Sequence, residues 1–262
     1  MTTAFKMIVE YDGTGYSGWQ IQNDVPTIQG AIENALHRMT GQPVRVSGSG
    51  RTDAGVHALG QVAGFTCHTR LSARVLHKGL NSLLPPDIVI HSLETVSDAF
   101  HPRYDAVSKI YRYRILNRPW ATAVGRQYTW HLRHPLDIEA MRMAAGHLSG
   151  THDFKSFEGA GSPRASTVRR VLTADVIRQN TDRIVFEIQA DGFLRFMVRN
   201  IVGTLVAVGQ ARITVDDFRR IMAARDRGQA GPTAPPQGLF LVRVFYPEAG
   251  KTGPPTGENR VK

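Results

Sequence analysis

The segment 47–57, SGSGRTDAGVH, contains three glycines around Arg51 and Asp53. Glycine loses more conformational freedom on folding than any other residue, so this segment favours neither a helix nor a regular strand. Apolar residues alternate with others in 44–47 and 56–67, which predicts a strand on each side of it. Two interpretations of this loop fit: a functional loop held by rigid strands, or a tight turn whose Asp caps the backbone and whose Arg pairs with it.

The hydrophobic periodicity predicts the element order β-α-β-β-α-β in the first half of the chain. The second half repeats that order, with a second helix before its last strand and an insertion at 118–135. The predicted strands are 5–11, 44–47, 56–67, 88–96, 107–116, 168–178, 183–190 and 239–246, and the predicted helices are 27–40, 72–84, 136–148, 194–209 and 214–224. This order is that of the ferredoxin-like, or split βαβ, arrangement.

The sequence therefore predicts an α+β fold built from two ferredoxin-like (split βαβ) subdomains. We assign residues 1–105 to an N-terminal subdomain that carries the glycine-rich loop, and 106–247 to a C-terminal one. Residues 248–262 lack apolar periodicity and are expected to be a disordered tail. The Gly-, Pro- and Ser-rich segment 158–166 is expected to be mobile.

Charge and composition narrow the classes of partner. The chain of 262 residues has a formal net charge of +10, and 26 of its 32 basic residues are Arg. Arg presents a planar fork of donors that matches phosphate, so a nucleic-acid partner is expected, although a simple compositional bias toward Arg also fits. The single cysteine, Cys67, excludes an intrachain disulfide and a cysteine-rich metal site. No apolar run is long enough to span a bilayer, and the N-terminal residues lack a signal-peptide pattern, so we expect a cytoplasmic protein without membrane contact.

Several aromatic and basic side chains are candidates for chemistry or binding. Tyr16 and Trp19, in the glycine-rich stretch 12–19, either stack on bases or pack onto the core. In the strand 107–116, Tyr111 lies on one face with the other odd-numbered residues, while the Arg side chains occupy the opposite face. Tyr beside Arg on a sheet is typical of some RNA-binding modules, but cross-strand aromatic packing is the commoner arrangement.

Arg199 lies at the border of the apolar stripe of the predicted helix 194–209. A guanidinium so near a core needs a partner carboxylate, for which Asp53 is a candidate, unless its alkyl stem carries it to the surface. Ser47, Asp53 and His57 are the residue types of a hydrolase triad, but the Gly-x-Ser-x-Gly motif is absent. The scattered His residues form no metal-binding motif, so no metal is expected.

Five motifs resemble those of the TruA-type tRNA pseudouridine synthases. They follow one another in order across nearly the whole chain apart from the tail: SGRTDAGVHA at 49–58, FHPRY at 100–104 with KIYRY at 109–113, GTHDFKSF at 150–157, FMVRNIVG at 196–203 and APPQGL at 234–239. The resemblance implies an enzyme that isomerises uridine to pseudouridine at positions 38 to 40 of the tRNA anticodon stem-loop. It also implies a homodimer, a basic cleft between two subdomains with mostly antiparallel sheets, and no cofactor.

The same resemblance assigns roles to four residues. Asp53 corresponds to the family's catalytic aspartate, and Tyr111 to the tyrosine that packs against the target base. Arg199 corresponds to the basic residue that pairs with the aspartate. Arg51 corresponds to the motif's arginine, expected near substrate phosphate or sugar. The alternative from another functional class is a tRNA-binding protein without catalysis, and a weaker one is a small-molecule hydrolase that uses Ser47, Asp53 and His57.

Overall fold

The computed structural model describes residues 2–161 and 165–247. Part of the predicted mobile segment, 162–164, and the predicted tail, 248–262, lie outside the described residues. The strands are β1 (Thr2–Tyr11), β2 (Val46–Gly48), β3 (His57–His68), β4 (Ile88–Val96), β5 (Ser108–Asn117), β6 (Trp130–Leu132), β7 (Gly150–Asp153), β8 (Val168–Arg178), β9 (Arg183–Ala190) and β10 (Leu239–Phe245). The short strands β6 and β7 were missed by the sequence analysis, because three or four residues are too few to show an alternating pattern.

The helices are α1 (Ile28–Thr40), α2 (Ala73–Leu83), α3 (Ile138–Gly146), α4 (Met197–Gly209) and α5 (Val215–Ala224). Ser72 caps α2, and its hydroxyl accepts the Val75 N–H at 3.4 Å. Thr214 and Asp217 form the capping box of α5. The helix α4 begins later than the predicted Leu194, because Phe196 has φ of +59° and cannot continue a right-handed helix.

The strands form a mostly antiparallel sheet in the order β4-β1-β3-β10-β5-β9-β8-β7, with β2 paired to β3 and β6 paired to β5. The α+β fold class is confirmed. Each half has the split βαβ order: β4-β1-β3-β2 in the first half and β10-β5-β9-β8 in the second. The two halves share one continuous sheet, because β10 of the second half pairs with β3 of the first. The subdomain boundary at 105/106 stays a prediction.

The junction of the two halves lies beside the glycine-rich loop. One edge of β3 pairs with β1. The other edge pairs with two strands, one after the other along its length. Phe240 and Leu241 of β10 pair in parallel with the start of β3, and β2 pairs antiparallel with residues 63–65 farther along. The loop that joins β2 to β3 therefore emerges where the sheets of the two halves meet.

The core is continuous through both halves. Alternate residues of β1 are buried, as the predicted strand requires, and they lie in the same cluster as the apolar stripes of α1 and α4. Trp19 is only 2% exposed, and the Tyr16 hydroxyl donates to the Asp87 carboxylate at 2.7 Å. Of the two interpretations of these aromatic residues, packing onto the protein is the one observed. None of the helices in the described ranges is both long and apolar enough to cross a membrane.

Candidate active site

The first part of the glycine-rich loop is held by side chains from two strands, β3 and β5. The Ser49 hydroxyl donates to Gln61 Oε1 at 2.7 Å, and Gln61 Nε2 donates to the Gly50 carbonyl at 2.8 Å. Ser49 and Gln61 are fully buried. From the other half of the chain, Lys109 Nζ on β5 donates to the Ser49 carbonyl at 2.6 Å. The loop is therefore braced by β3 and β5 before it reaches Asp53.

The second part of the loop, residues 52–56, is held by β1, by the segment 12–19 and by a turn of its own. The hydroxyls of Thr52 and Tyr11 are 2.8 Å apart, and the Thr52 carbonyl accepts the Trp19 N–H at 3.1 Å. The Val56 N–H donates to the Asp53 carbonyl at 3.1 Å, which closes a tight turn. Within that turn Gly55 has φ of +75°, a conformation that favours glycine. The Asp53 main chain is thus held in a defined place in the loop between β2 and β3.

Asp53 forms an ion pair with Arg199 rather than with its neighbour Arg51. Arg199 Nη1 lies 3.2 Å from Asp53 Oδ2, across 146 residues of sequence. Arg199 Nε donates to the Ala234 carbonyl at 2.7 Å, and the Ala234 N–H donates to the Arg199 carbonyl at 3.1 Å. The Arg199 side chain is 13% exposed, so it does not extend to the surface. The partner expected for this guanidinium is therefore the carboxylate that the sequence suggested.

Burial and charge act in opposite directions on Asp53. Burial raises the pKa of the carboxyl, while the guanidinium groups of Arg199 and Arg195 lower it, and the net effect is an increase. Asp53 is therefore a partly desolvated carboxylate held close to cations. Such an environment makes an anion more reactive than it would be in water.

Tyr111 projects from β5 into the same region and is only 7% exposed. Its ring lies nearly perpendicular to that of Phe193, with ring centroids 4.9 Å apart. Burial raises the pKa of the Tyr111 hydroxyl, and the nearby Tyr11 and Asp53 raise it further. The hydroxyl is therefore neutral at physiological pH. Its hydroxyl makes no hydrogen bond with any residue that the structure describes.

Arg51 is exposed at the rim and forms neither a hydrogen bond nor an ion pair with the described residues. The surface Asp–Arg pair proposed for a purely structural turn is therefore not formed. Arg51 remains available to a ligand, and its contact with substrate phosphate or sugar stays a prediction.

The start of α4 contributes aromatic residues that the sequence analysis missed. Two guanidinium groups lie near the Phe196 ring, that of Arg195 at 4.7 Å and that of Arg199 at 5.0 Å from its centroid. Both contacts are cation–π interactions, which orient the cations without neutralising them. Phe193 and Phe196 lie just before the periodic part of the helix, so no periodic signal could have identified them.

These groups line one cleft of about 1200 Å³. Its walls come from both halves: the glycine-rich loop, residues 101–104, the start of β5 and the N-terminal end of α4. Among the described lining residues Asp53 is the single carboxylate, and the basic ones are Arg45, Arg51, Arg103, Lys109, Arg195 and Arg199. A cleft with this lining favours a polyanion and presents it to one carboxylate.

The hydrolase arrangement is not formed. His57 is 1% exposed, its Nδ1 accepts the Gly13 N–H at 3.0 Å and its Nε2 donates to the Gln127 carbonyl at 3.1 Å. Ser47 is an exposed residue of β2 and makes no hydrogen bond with that ring. His57 therefore joins the loop 12–19 to the segment at 127. Among the described residues, no three His, Cys, Asp or Glu side chains form a group that could hold a metal ion.

Comparison with known proteins agrees with the motifs. The model of a family described as tRNA pseudouridine synthase matches residues 7–105 and 144–247. The chain belongs to this family. Curated relatives named tRNA pseudouridine synthase A include one from Thermoanaerobacter sp. (strain X514), 48% identical over 92% of this chain and 98% of the relative. Others come from Geotalea daltonii, 47% identical over 92% and 98%, and from Myxococcus xanthus, 44% identical over 95% and 93%.

Proposed function

We propose that this protein isomerises uridine to pseudouridine at positions 38 to 40 of the tRNA anticodon stem-loop, with Asp53 as the catalytic carboxylate. Membership of the family makes it an isomerase that acts on tRNA. The observation that carries the proposal is the position of Asp53, the single carboxylate among the described residues that line a basic cleft built by both halves of the chain. The narrower site on tRNA is supported by the motifs at 49–58 and 109–113.

The reaction breaks the bond from the ribose to N1 of uracil and forms one from the ribose to C5. C5 loses its proton and N1 gains one, so the change is an isomerisation without net hydrolysis. The base must be released, turned and recaptured, so the pocket has to exclude water and retain the base. An ionised Asp53 can attack the sugar, attack the base or remove a sugar proton, and each route requires the same carboxylate. Arg199 orients that carboxylate through its bond to Ala234 and stabilises its negative charge.

Tyr111 and Phe193 supply apolar surface for a nucleotide turned out of its stack. Extrusion of a base costs a few kcal/mol, and stacking on an aromatic ring recovers about 1–3 kcal/mol. The neutral Tyr111 hydroxyl adds a hydrogen-bonding group beside Asp53. Arg51 and Arg103, at the rim, are suited to hold the phosphates on either side of that nucleotide.

The test is tritium release from tRNA labelled at C5 of uridine. The Asp53→Asn variant should lose at least about 10³-fold in turnover while still binding tRNA, because the amide cannot act as nucleophile or base. Asp98→Asn, which removes an exposed carboxylate, is the matched control and should be normal. Near-normal turnover of Asp53→Asn would refute the role of Asp53. A wild-type protein that binds tRNA but forms no pseudouridine would support the alternative of a binding protein without catalysis.

The same assay, together with tRNA binding, distinguishes the contribution of the Tyr111 ring from that of its hydroxyl. Tyr111→Phe should bind tRNA normally and, if the hydroxyl takes part in proton transfer, lose about 10²-fold in turnover. Tyr111→Leu should lose binding as well, because the stacking surface is gone. Equal binding by both variants would exclude a stacking role.

We also propose that the protein is a cytoplasmic homodimer. The support is the resemblance for the dimer and the location of the tRNA substrate for the compartment. Sedimentation equilibrium of the full chain tests the dimer: a concentration-independent monomer mass would contradict it.

A further inference from the structure

A second cavity, of about 670 Å³, lies on the face of the sheet opposite to Tyr111. Arg112 and Arg114 alternate with Tyr111 along β5, so their side chains point away from the catalytic cleft. The other walls come from 115–129 and from the β8–β9 turn at 179–185. We call this site the rear arginine cavity.

The positive charge of the rear arginine cavity is only partly neutralised. Arg112 donates two hydrogen bonds to Glu187 Oε2, at 2.9 and 2.7 Å, and Arg118 pairs with Asp182 at 3.2 Å. Arg114 and Arg183 also line the cavity, and neither has an ion pair with a described carboxylate. Two guanidinium groups therefore face the cavity without a counter-charge from the described chain.

Arg114 is held in place despite its lack of a counter-charge. Its guanidinium lies 4.1 Å from the centroid of the Phe240 ring. Burial lowers the pKa of Arg114, and the charges of Arg112 and Arg183 lower it further. A half-buried cation beside two like charges is stabilised when an anion binds between them.

The wall of the cavity is attached to the catalytic half of the molecule. The Tyr128 hydroxyl donates to Asp12 Oδ2 at 2.7 Å, and the neighbouring Gln127 carbonyl accepts the His57 Nε2–H. These bonds join the wall to the loop that follows β1 and to the first residue of β3. The cavity is thus built before any ligand binds.

The charges of three candidate ligands indicate which of them fits the rear arginine cavity. A second copy of this chain carries a net charge of +10, so it has no general surplus of negative charge. The segment 248–262 carries three basic and two acidic residues, so it does not supply that charge either. A nucleic-acid backbone carries one negative charge per phosphate, and Arg binds phosphate through paired donors.

We propose that the rear arginine cavity binds backbone phosphates of the tRNA outside the anticodon stem-loop. This inference rests on the proposed function. A nucleotide inserted beside Asp53 lies on the other face of the sheet, so the phosphates at Arg114 and Arg183 must come from another part of a tRNA. The cavity therefore increases affinity for whole tRNA and leaves the chemistry at Asp53 unchanged.

The test compares two substrates, whole tRNA and an isolated anticodon stem-loop, with the double variant Arg114→Gln/Arg183→Gln. We expect KM for whole tRNA to rise about 10-fold with kcat unchanged, and KM for the stem-loop to stay the same. The salt dependence of tRNA binding should also weaken, by about one unit of log–log slope for each lost phosphate contact. Arg38→Gln/Arg70→Gln is the matched control, because it removes two exposed arginines elsewhere.

Three results would overturn the inference. Equal losses on both substrates would mean that the double variant damages the catalytic cleft. A loss no greater than that of the Arg38/Arg70 control would mean that only net charge matters. A changed oligomeric mass with an unchanged salt slope would assign the cavity to a protein interface. Arg114→Lys should bind tRNA more tightly than Arg114→Gln, which excludes a purely structural role for the side chain. If the wild type modifies neither substrate, the proposed function fails instead.

Discussion

The ionised Asp53 side chain lowers the stability of the folded protein and provides a reactive carboxylate in the cleft. Its carboxylate is desolvated by the loop and by the start of α4, and Arg199 restores only part of the lost solvation. Because the net effect raises the pKa, the ionised form is less stable in the folded protein than in the unfolded chain. A functional role in the cleft accounts for a charge at this position better than a role in folding does.

Removal of this charge should therefore stabilise the protein. Between the ordinary aspartate pKa of about 3.9 and the raised folded value, the folded state binds more protons than the unfolded state, so the free energy of unfolding falls as pH rises. At pH 7, Asp53→Asn should unfold at a higher denaturant concentration than the wild type, and near pH 3 the difference should disappear. Denaturant titration of both proteins at both pH values measures this difference in the free energy of unfolding. A less stable variant at pH 7 would show that the pair with Arg199 outweighs burial.

Arg199 should determine the pH range of activity. Its guanidinium lowers the pKa of Asp53, so Arg199→Gln should raise that pKa further and shift the acidic limb of the kcat/KM profile to higher pH. Arg199→Lys keeps the charge but cannot reproduce the donor geometry toward Ala234, so its limb should stay closer to that of the wild type. Tritium release across a pH series measures the profile. An acidic limb at the wild-type pH in Arg199→Gln would show that the guanidinium does not determine the pKa of Asp53.

At the scale of elements, the loop 12–19 and the glycine-rich loop 47–57 form one unit. Gly13 donates to His57, and a Cβ at Gly13 would lie 2.1 Å from the Val56 carbonyl oxygen. A Cβ at Gly48 would lie 2.7 Å from the buried Trp19 ring. The close approach of these backbones explains why the segment is rich in glycine.

A pair of substitutions in that loop tests this close approach. Gly13→Ala should lower the free energy of unfolding by about 1–3 kcal/mol, because backbone atoms must move apart, and it should reduce turnover by displacing Asp53. Gly15→Ala is the control, since nothing lies within 4 Å of its added Cβ. Thermal unfolding and tritium release measure both effects, and equal behaviour of the two variants would contradict the close contact.

At the scale of the whole molecule, the two halves share a sheet, a core and a cleft. The pairing of β10 with β3 and the bond from Lys109 to the Ser49 carbonyl both cross from one half to the other. Among the described residues that line the cleft, the first half supplies the single carboxylate, Asp53, and the second half supplies Tyr111 and Arg199. We therefore expect the chain to behave as one cooperative unit although its topology is duplicated.

Calorimetry tests that cooperativity. The described chain should unfold in one transition whose van't Hoff and calorimetric enthalpies agree, because exposure of the β3–β10 junction disrupts the core of both halves. Two resolved transitions would show that the subdomains at 1–105 and 106–247 unfold independently. The measurement requires a tRNA-free protein, since a bound polyanion would stabilise the cleft.

The sequence by itself determined the order of the long elements and the α+β class, because amphipathic periods are local properties of the chain. The separation of Tyr111 from Arg112 and Arg114 onto opposite faces of β5 was determined in the same way. The choice of Asp53, Tyr111 and Arg199 as site residues came from family motifs, which carry information that periodicity lacks.

Only the tertiary structure decided which residues meet. The partner of Arg199 was a hypothesis until the fold brought Asp53 to it across 146 residues. The helix α4 begins later than the periodicity predicts because Phe196 takes a left-handed conformation, and the strand order followed from the pairing of β10 with β3. These features depend on contacts between segments that are remote in sequence, and such contacts produce no periodic pattern in the sequence of either segment.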